Sequence, residues 1–206
     1  AKPVLDGEPN YEDHPVNWKV ENGYFRDYDV RKQLYRSVFS GACGVTYGHQ
    51  AIRQFYSERE EPMGFPDRYW TEALDRPGAF QAGYLRRLIL SRPPLSRVPD
   101  QTIIKSGQGV KGEYMTALRD KGDSYAMIYL PVGRRIGVDV SWMKAEKIAA
   151  WWFNPRNGEA LKIGLQRSED SLRFVPPTTG IENDWVLVLD DSARQWVAPG
   201  DVQTVN

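Results

Sequence analysis

The sequence changes period at Pro99, and that change constrains the fold more than any other feature. Beyond it, short runs of β-forming residues recur roughly every ten positions. They read "TIIKS", "YMTALR", "YAMIYL", "IGVDV", "IAAWWF", "ALKIGL", "LRFVP" and "DWVLVLD". Turn signals separate them: Lys121-Gly122-Asp123, Asn154-Pro155 with Asn157-Gly158, and Pro176-Pro177. This spacing predicts an antiparallel β-sandwich or barrel over 97–206. Within it, alternation puts Trp151 and Phe153 on one face and Trp152 on the other.

Residues 1–96 follow a different rule. Pro3–Leu5 is a short apolar run read as a buried strand. In "DVRKQLYRSVFS", Val30, Leu34 and Val38, with Tyr35 and Phe39, repeat every four positions, which predicts an amphipathic helix from Asp29 to Ser40. Asp29 suits its start and Gly41 its end. "GACGVTYG" follows as a second strand candidate, then a polar loop over Ser57–Arg68, then a helix from Gly78 to Ser91. The Pro-rich "SRPPLSRVPD" reads as a connector between the halves. Strand–helix–strand–helix is the grammar of parallel α/β folds. Two βα units cannot cover both faces of a parallel sheet, so this half reads as the end of a larger α/β domain.

Composition excludes several functions. Lys plus Arg (27) balances Asp plus Glu (27), so no broad basic face invites nucleic acid. No apolar run approaches the roughly 20 residues of a membrane span. A single cysteine, Cys43, and two histidines, His14 and His49, argue against disulfide frameworks and Cys- or His-rich metal sites. Cys43 itself is read as a small buried residue. Seven Trp, eleven Tyr and seven Phe make the aromatic content unusual; core filling accounts for most of them, while exposed ones offer flat surfaces to sugars or peptides.

The chemistry concentrates in "VLDGEPNYEDHP". Asp6, Glu8, Glu12, Asp13 and His14 fall within nine residues at the apparent end of a strand. Such a cluster is either a solvated acidic turn or the rim of an active site.

Four segments bear on that choice: "KPVLDGEPNYED", "DYDVRKQLYRSVFSGACGVTYGHQAIRQFY", "AWWFNPRNGEA" and "FVPPTTGIENDWVLVLDD". In this order they resemble the C-terminal half of the apiosidase-like glycoside hydrolases, (β/α)8-barrel enzymes followed by a β-domain that carries a collagen-binding label. The resemblance implies that Pro3–Glu8 is the seventh barrel strand, Gly41–Gly48 the eighth, and 97–206 the appended domain. It makes Glu8 the nucleophile of a retaining, two-carboxylate hydrolysis. Tyr11, Glu12 and Trp18, with Tyr24, are then candidates for sugar contacts from the loop after the first strand. Tyr47, His49 and Gln50 are candidates from the second strand. For His49 the alternative is a hydrogen-bonded bridge between two loops, and for Glu12 a solvated turn. Asp6 either tunes Glu8 or makes an internal ion pair. His14 reads as a loop residue and Arg31 as a structural ion-pair former. Arg53 stands where an aromatic is expected in relatives.

No segment matches the strand-four carboxyl that would supply the acid. Glu58, Glu60 and Glu61 read as a solvated charge run. The implied chemistry uses no metal or organic cofactor. The implied partners are a poly- or oligosaccharide and either the remaining barrel half or a second copy, with no nucleic acid or membrane. Secretion or periplasmic placement is implied by the resemblance alone. The competing class is a non-catalytic carbohydrate- or protein-binding module, whose α/β part only supports the β-domain.

Overall fold

The computed structural model describes residues 2–201. They fall into two units, one formed by residues up to 38 together with 42–83, the other by 39–41 together with residues from 84 onward.

The first unit opens with strand β1 (Leu5–Asp6), followed by helix α1 (Asp27–Phe39), strand β2 (Gly44–Val45) and short helices α2 (Gln50–Arg53) and α3 (Trp70–Ala73). Helix α4 (Pro77–Leu90) begins in this unit. The helix stripe is as expected: Val30, Leu34 and Val38 are buried along one side of α1. The helix starts two residues before Asp29, whose carboxylate accepts from the backbone N–H of Arg26 at 3.1 Å. That satisfies a free donor and places negative charge at the positive end of the helix dipole. Arg31 is buried and donates to Asp27 and Gln81, tying α1 to α4.

β1 and β2 pair in parallel, with Leu5 opposite Gly44 and Asp6 opposite Val45. Farther on, the backbone of Glu12 bridges to that of His49, also in parallel. Pro3–Leu5 is not the buried strand expected: Val4 and Leu5 are 67% and 58% exposed. Cys43 is exposed as well. Among the described residues no third strand pairs with β1 or β2, and a two-residue ladder leaves its apolar flanks open to solvent.

In the second unit, strands β3 (Arg97–Pro99), β4 (Ile104–Ser106), β5 (Thr116–Asp120), β6 (Tyr125–Leu130), β7 (Ile136–Asp139), β8 (Lys147–Phe153), β9 (Ala160–Arg167), β10 (Ser171–Phe174) and β11 (Trp185–Asp191) form two antiparallel sheets. The larger has the order β3-β5-β6-β11-β8-β9 and the smaller β10-β7-β4. Each of the eight predicted runs supplies a strand. The connector supplies a ninth, because Arg97–Pro99 pairs with Leu118–Asp120 at the sheet edge, where proline is tolerated.

The sandwich core holds Ile128, Ile136, Val138, Trp152, Trp185, Leu187 and Leu189. Burying each such side chain contributes about 1.5–3 kcal/mol. Trp152 packs edge-on to Trp185, with centroids 6.3 Å apart. Trp151 takes the opposite face, where the Lys162 ammonium lies 5.4 Å from its ring. No helix among the described residues is long and apolar enough to cross a membrane.

Candidate active site

The sequence after β1 folds into an irregular hairpin. Asp13 N donates to Phe25 O, Phe25 N to His14 O, and Val16 N to Gly23 O, while Pro15 bridges to Tyr24. Asp13, Asn17 and Trp18 adopt positive φ values of 56°, 55° and 61°, which turn the chain sharply enough for this return. The hairpin surrounds a surface cavity of about 270 Å³, lined by Glu8, Asn10, Tyr11, His14, Trp18 and Arg53 among others.

Glu8 stands just beyond β1 with its carboxylate exposed on the cavity wall. The Tyr11 hydroxyl donates to Glu8 Oε1 at 3.4 Å. The Tyr11 ring lies against Gly48, where a Cβ would meet Tyr11 Cδ1 at 2.4 Å, so glycine permits this approach. His14 meets Trp18 edge-on at 4.4 Å between centroids, and the Arg53 guanidinium lies 5.9 Å from the Trp18 ring. Burial, with a smaller contribution from the Arg53 charge, lowers the pKa of His14 and favours its neutral ring. Asp6 does not meet Glu8; it accepts from Ser37 Oγ of α1 at 2.5 Å.

Behind the cavity lies a polar interior. Glu12 is fully buried, and its Oε2 accepts from Tyr47 OH at 2.7 Å and from Gly78 N at 3.1 Å. It thereby satisfies a backbone donor in the first turn of α4. Burial raises the Glu12 pKa, against the opposing effects of Tyr47 and Arg76. The Tyr47 hydroxyl is pushed upward by its own burial and by the carboxylate it serves.

Asp13 is also fully buried and gathers four basic side chains. Arg26 pairs with Oδ1, while Arg68 Nε, Arg76 Nε and His49 Nε2 lie 2.8, 3.0 and 3.1 Å from Oδ2. Burial opposes ionisation, but the His49 and Arg26 hydrogen bonds and the Arg76 and Arg68 charges outweigh it and lower the pKa to about 2. His49 Nδ1 accepts from Ala51 N, which fixes its ring at the start of α2. Gln50 donates to the carbonyls of Met63 and Gly64.

The expected site residues therefore separate. Glu8, Tyr11 and Trp18 share the cavity. Glu12, His49 and Gln50 do not stand at a rim: each is buried and bonded to backbone or side chains, and the Tyr47 hydroxyl is committed to Glu12. A parallel backbone bridge joins Glu12 to His49, and both side chains are buried. Sequence reasoning noted Asp13 in the acidic cluster without giving it a role of its own, and it passed over Arg26, Arg68 and Arg76; the four are dispersed over 63 positions and form no motif. It also read His14 as a plain loop residue, although it lines the cavity. Among the described residues no His, Cys, Asp and Glu group is arranged to hold a metal ion.

Comparison with known proteins assigns both segments. Residues 1–96 match the model of the family described as "Apiosidase-like, catalytic domain". Residues 98–190 match that described as "Putative collagen-binding domain of a collagenase". No curated protein matches. A solved structure titled "Glycoside hydrolase" is 36% identical over 95% of the chain, with a TM-score of 0.90. A glycoside hydrolase family 5 structure from Bacteroides vulgatus is 33% identical over 98%, also at 0.90. The chain spans 44% of the length of each. The family models thus assign residues 1–96 to the apiosidase-like catalytic domains and residues 98–190 to the putative collagen-binding domains, and the chain is similar to both glycoside hydrolase structures.

Proposed function

We propose that residues 1–96 are the C-terminal part of a (β/α)8 glycosidase barrel, that 97–206 are its accessory β-sandwich, and that Glu8 is the nucleophile of a retaining hydrolysis of a poly- or oligosaccharide. The observation that carries this reading is the position of Glu8, directly beyond a parallel strand and open to a cavity shared with Tyr11, His14 and Trp18. Barrel enzymes build their active sites at this end of their strands. Two parallel strands, each followed by a helix, support the same architecture.

In this mechanism a Glu8 oxygen attacks the anomeric carbon as the glycosidic C–O bond breaks. An acid protonates the departing oxygen, and water then releases the sugar from Glu8. The Tyr11 hydroxyl orients the Glu8 carboxylate, and Trp18 offers a flat apolar wall to the sugar. Glu12, Tyr47, His49 and Gln50 act from behind, by holding the loops that shape the cavity.

Retaining enzymes set their two carboxyls about 5–5.5 Å apart. Among the described residues Glu8 is the one carboxyl lining the cavity, and Glu58, Glu60 and Glu61 are exposed. We therefore assign the acid to a part of the barrel beyond this chain. Secretion or periplasmic placement belongs to the same proposal.

The test is hydrolysis of a panel of aryl glycosides by the full-length protein, wild type beside Glu8→Gln. Activity in the wild type and a loss of several orders of magnitude in a folded variant is the expected result. Undiminished turnover in Glu8→Gln would move the nucleophile elsewhere.

A further inference from the structure

We propose that Trp18 and Phe65 form a second sugar-binding platform continuous with the Glu8 cavity, so that the protein grips a glycan chain of several residues and not one terminal sugar alone. The inference rests on the reading of the Glu8 cavity given above and extends it to the loop between α2 and α3.

Both residues combine two features that oppose folding. Trp18 and Phe65 have positive φ, 61° and 55°, in the left-handed region that side chains with a Cβ disfavour. Both residues are also more than half exposed, at 56% and 57%. Backbone strain and apolar exposure together are the mark of a surface kept for binding, because neither stabilises the fold.

The surroundings hold this arrangement firmly. The buried Gln50 donates to Met63 O and Gly64 O at 2.9 and 3.0 Å. Gln54 donates to Met63 O and accepts from Met63 N, clamping that peptide on both sides. The Tyr24 hydroxyl donates to Phe65 O. Between the two aromatics lies Gly64, at φ 68°, where a Cβ would stand 2.6 Å from Trp18 Cζ3. Glycine thus lets the indole approach the loop that presents Phe65 closely.

Trp18 is the link. It lines the Glu8 cavity and, through Gly64, abuts the Phe65 loop. Flat aromatic faces pack against the C–H faces of sugar rings, and such packing tolerates sequence variation along a glycan. This geometry explains the roles of Gln50 and Tyr24: they position the platform without touching the reacting sugar.

The experiment measures binding by tryptophan fluorescence on full-length Glu8→Gln protein, which isolates binding from turnover. The probes are neutral and acidic plant oligosaccharides of one to six sugars. Affinity is expected to rise at least tenfold between one sugar and three. Phe65→Gly removes the ring while relieving the backbone, so it should fold as well as the parent and lose most of that gain. Phe65→Tyr should restore it.

A flat affinity series, an undiminished gain in Phe65→Gly, or absence of binding across the panel would overturn the platform. Failure of the catalytic reading is distinct. It would appear as Glu8→Gln protein that still hydrolyses the probes, whatever the length series does.

Discussion

His49 Nε2 stands 3.1 Å from Asp13 Oδ2, with both side chains sealed from solvent. Arg26, Arg68 and Arg76 close around the same carboxylate, and Asp67 pairs with Arg26 and Arg68 at 3.0 Å each. With Glu12 beside Arg76, three carboxylates face three guanidiniums immediately behind the cavity. Removing one partner from such a cluster leaves buried charge uncompensated, which costs far more than the pair contributes.

Asp13 makes this cluster sensitive to acid. Its pKa is lowered from 3.8 to about 2, so its stabilisation is complete above the ordinary carboxylate range and is lost as pH falls through about 2. The difference corresponds to about 2 kcal/mol. Thermal unfolding followed from pH 5 to 2 should show this loss. Asp13→Asn should be less stable by about 3 kcal/mol at pH 7 and should show a shallower acid limb.

Glu12 has the opposite sign. Its pKa is raised, chiefly by burial, so its contribution is fully present below the unfolded value of 4.5 and diminishes as pH rises through the folded one. Tyr47→Phe removes the 2.7 Å donor that favours the ionised form. We expect a destabilisation of about 1–3 kcal/mol, larger at pH 7 than at pH 4. Denaturant titrations at the two pH values check it.

Gly48→Ala would place a methyl 2.4 Å from the Tyr11 ring. Overpacking of this kind costs about 1–3 kcal/mol, and the ring that carries the hydroxyl bonded to Glu8 must shift. The expected outcome is a lower melting temperature together with reduced turnover, because Glu8 loses its Tyr11 hydrogen bond. Turnover equal to wild type in a folded Gly48→Ala variant would deny Tyr11 any part in the site.

The second unit carries its own buried pair. Arg92 donates from Nε and Nη2 to Asp190 at 2.8 and 2.7 Å, and its guanidinium lies 5.1 Å from the Trp196 ring. Arg92→Ala should cost about 3–5 kcal/mol and alter tryptophan fluorescence. Arg92→Met combined with Asp190→Leu should recover most of that stability, since an apolar pair leaves no stranded charge.

Much of the fold was legible in the sequence. Val30, Leu34 and Val38 announced the buried stripe of α1, and eight spaced runs announced the strands of the sandwich. These signals are local: a helix or strand writes its own period into the chain. Arg97–Pro99 escaped notice because its proline-rich stretch becomes a strand only when β5 offers an edge. Leu5 and Cys43 were misjudged as buried because exposure depends on what else covers a strand.

The site divides along the same line. Sequence and family resemblance named Glu8, Tyr11 and Trp18 as candidates along one loop, and the structure sets all three on one cavity. The sequence equally marked Glu12 and His49 as special residues, but not the direction in which they point. Only the tertiary structure decided that: both side chains are buried, and Arg26, Arg68 and Arg76 converged on Asp13 from positions far apart in the chain. Hydrophobic periods are properties of neighbouring residues, whereas a charge cluster belongs to the folded path that brings distant residues within 3 or 4 Å.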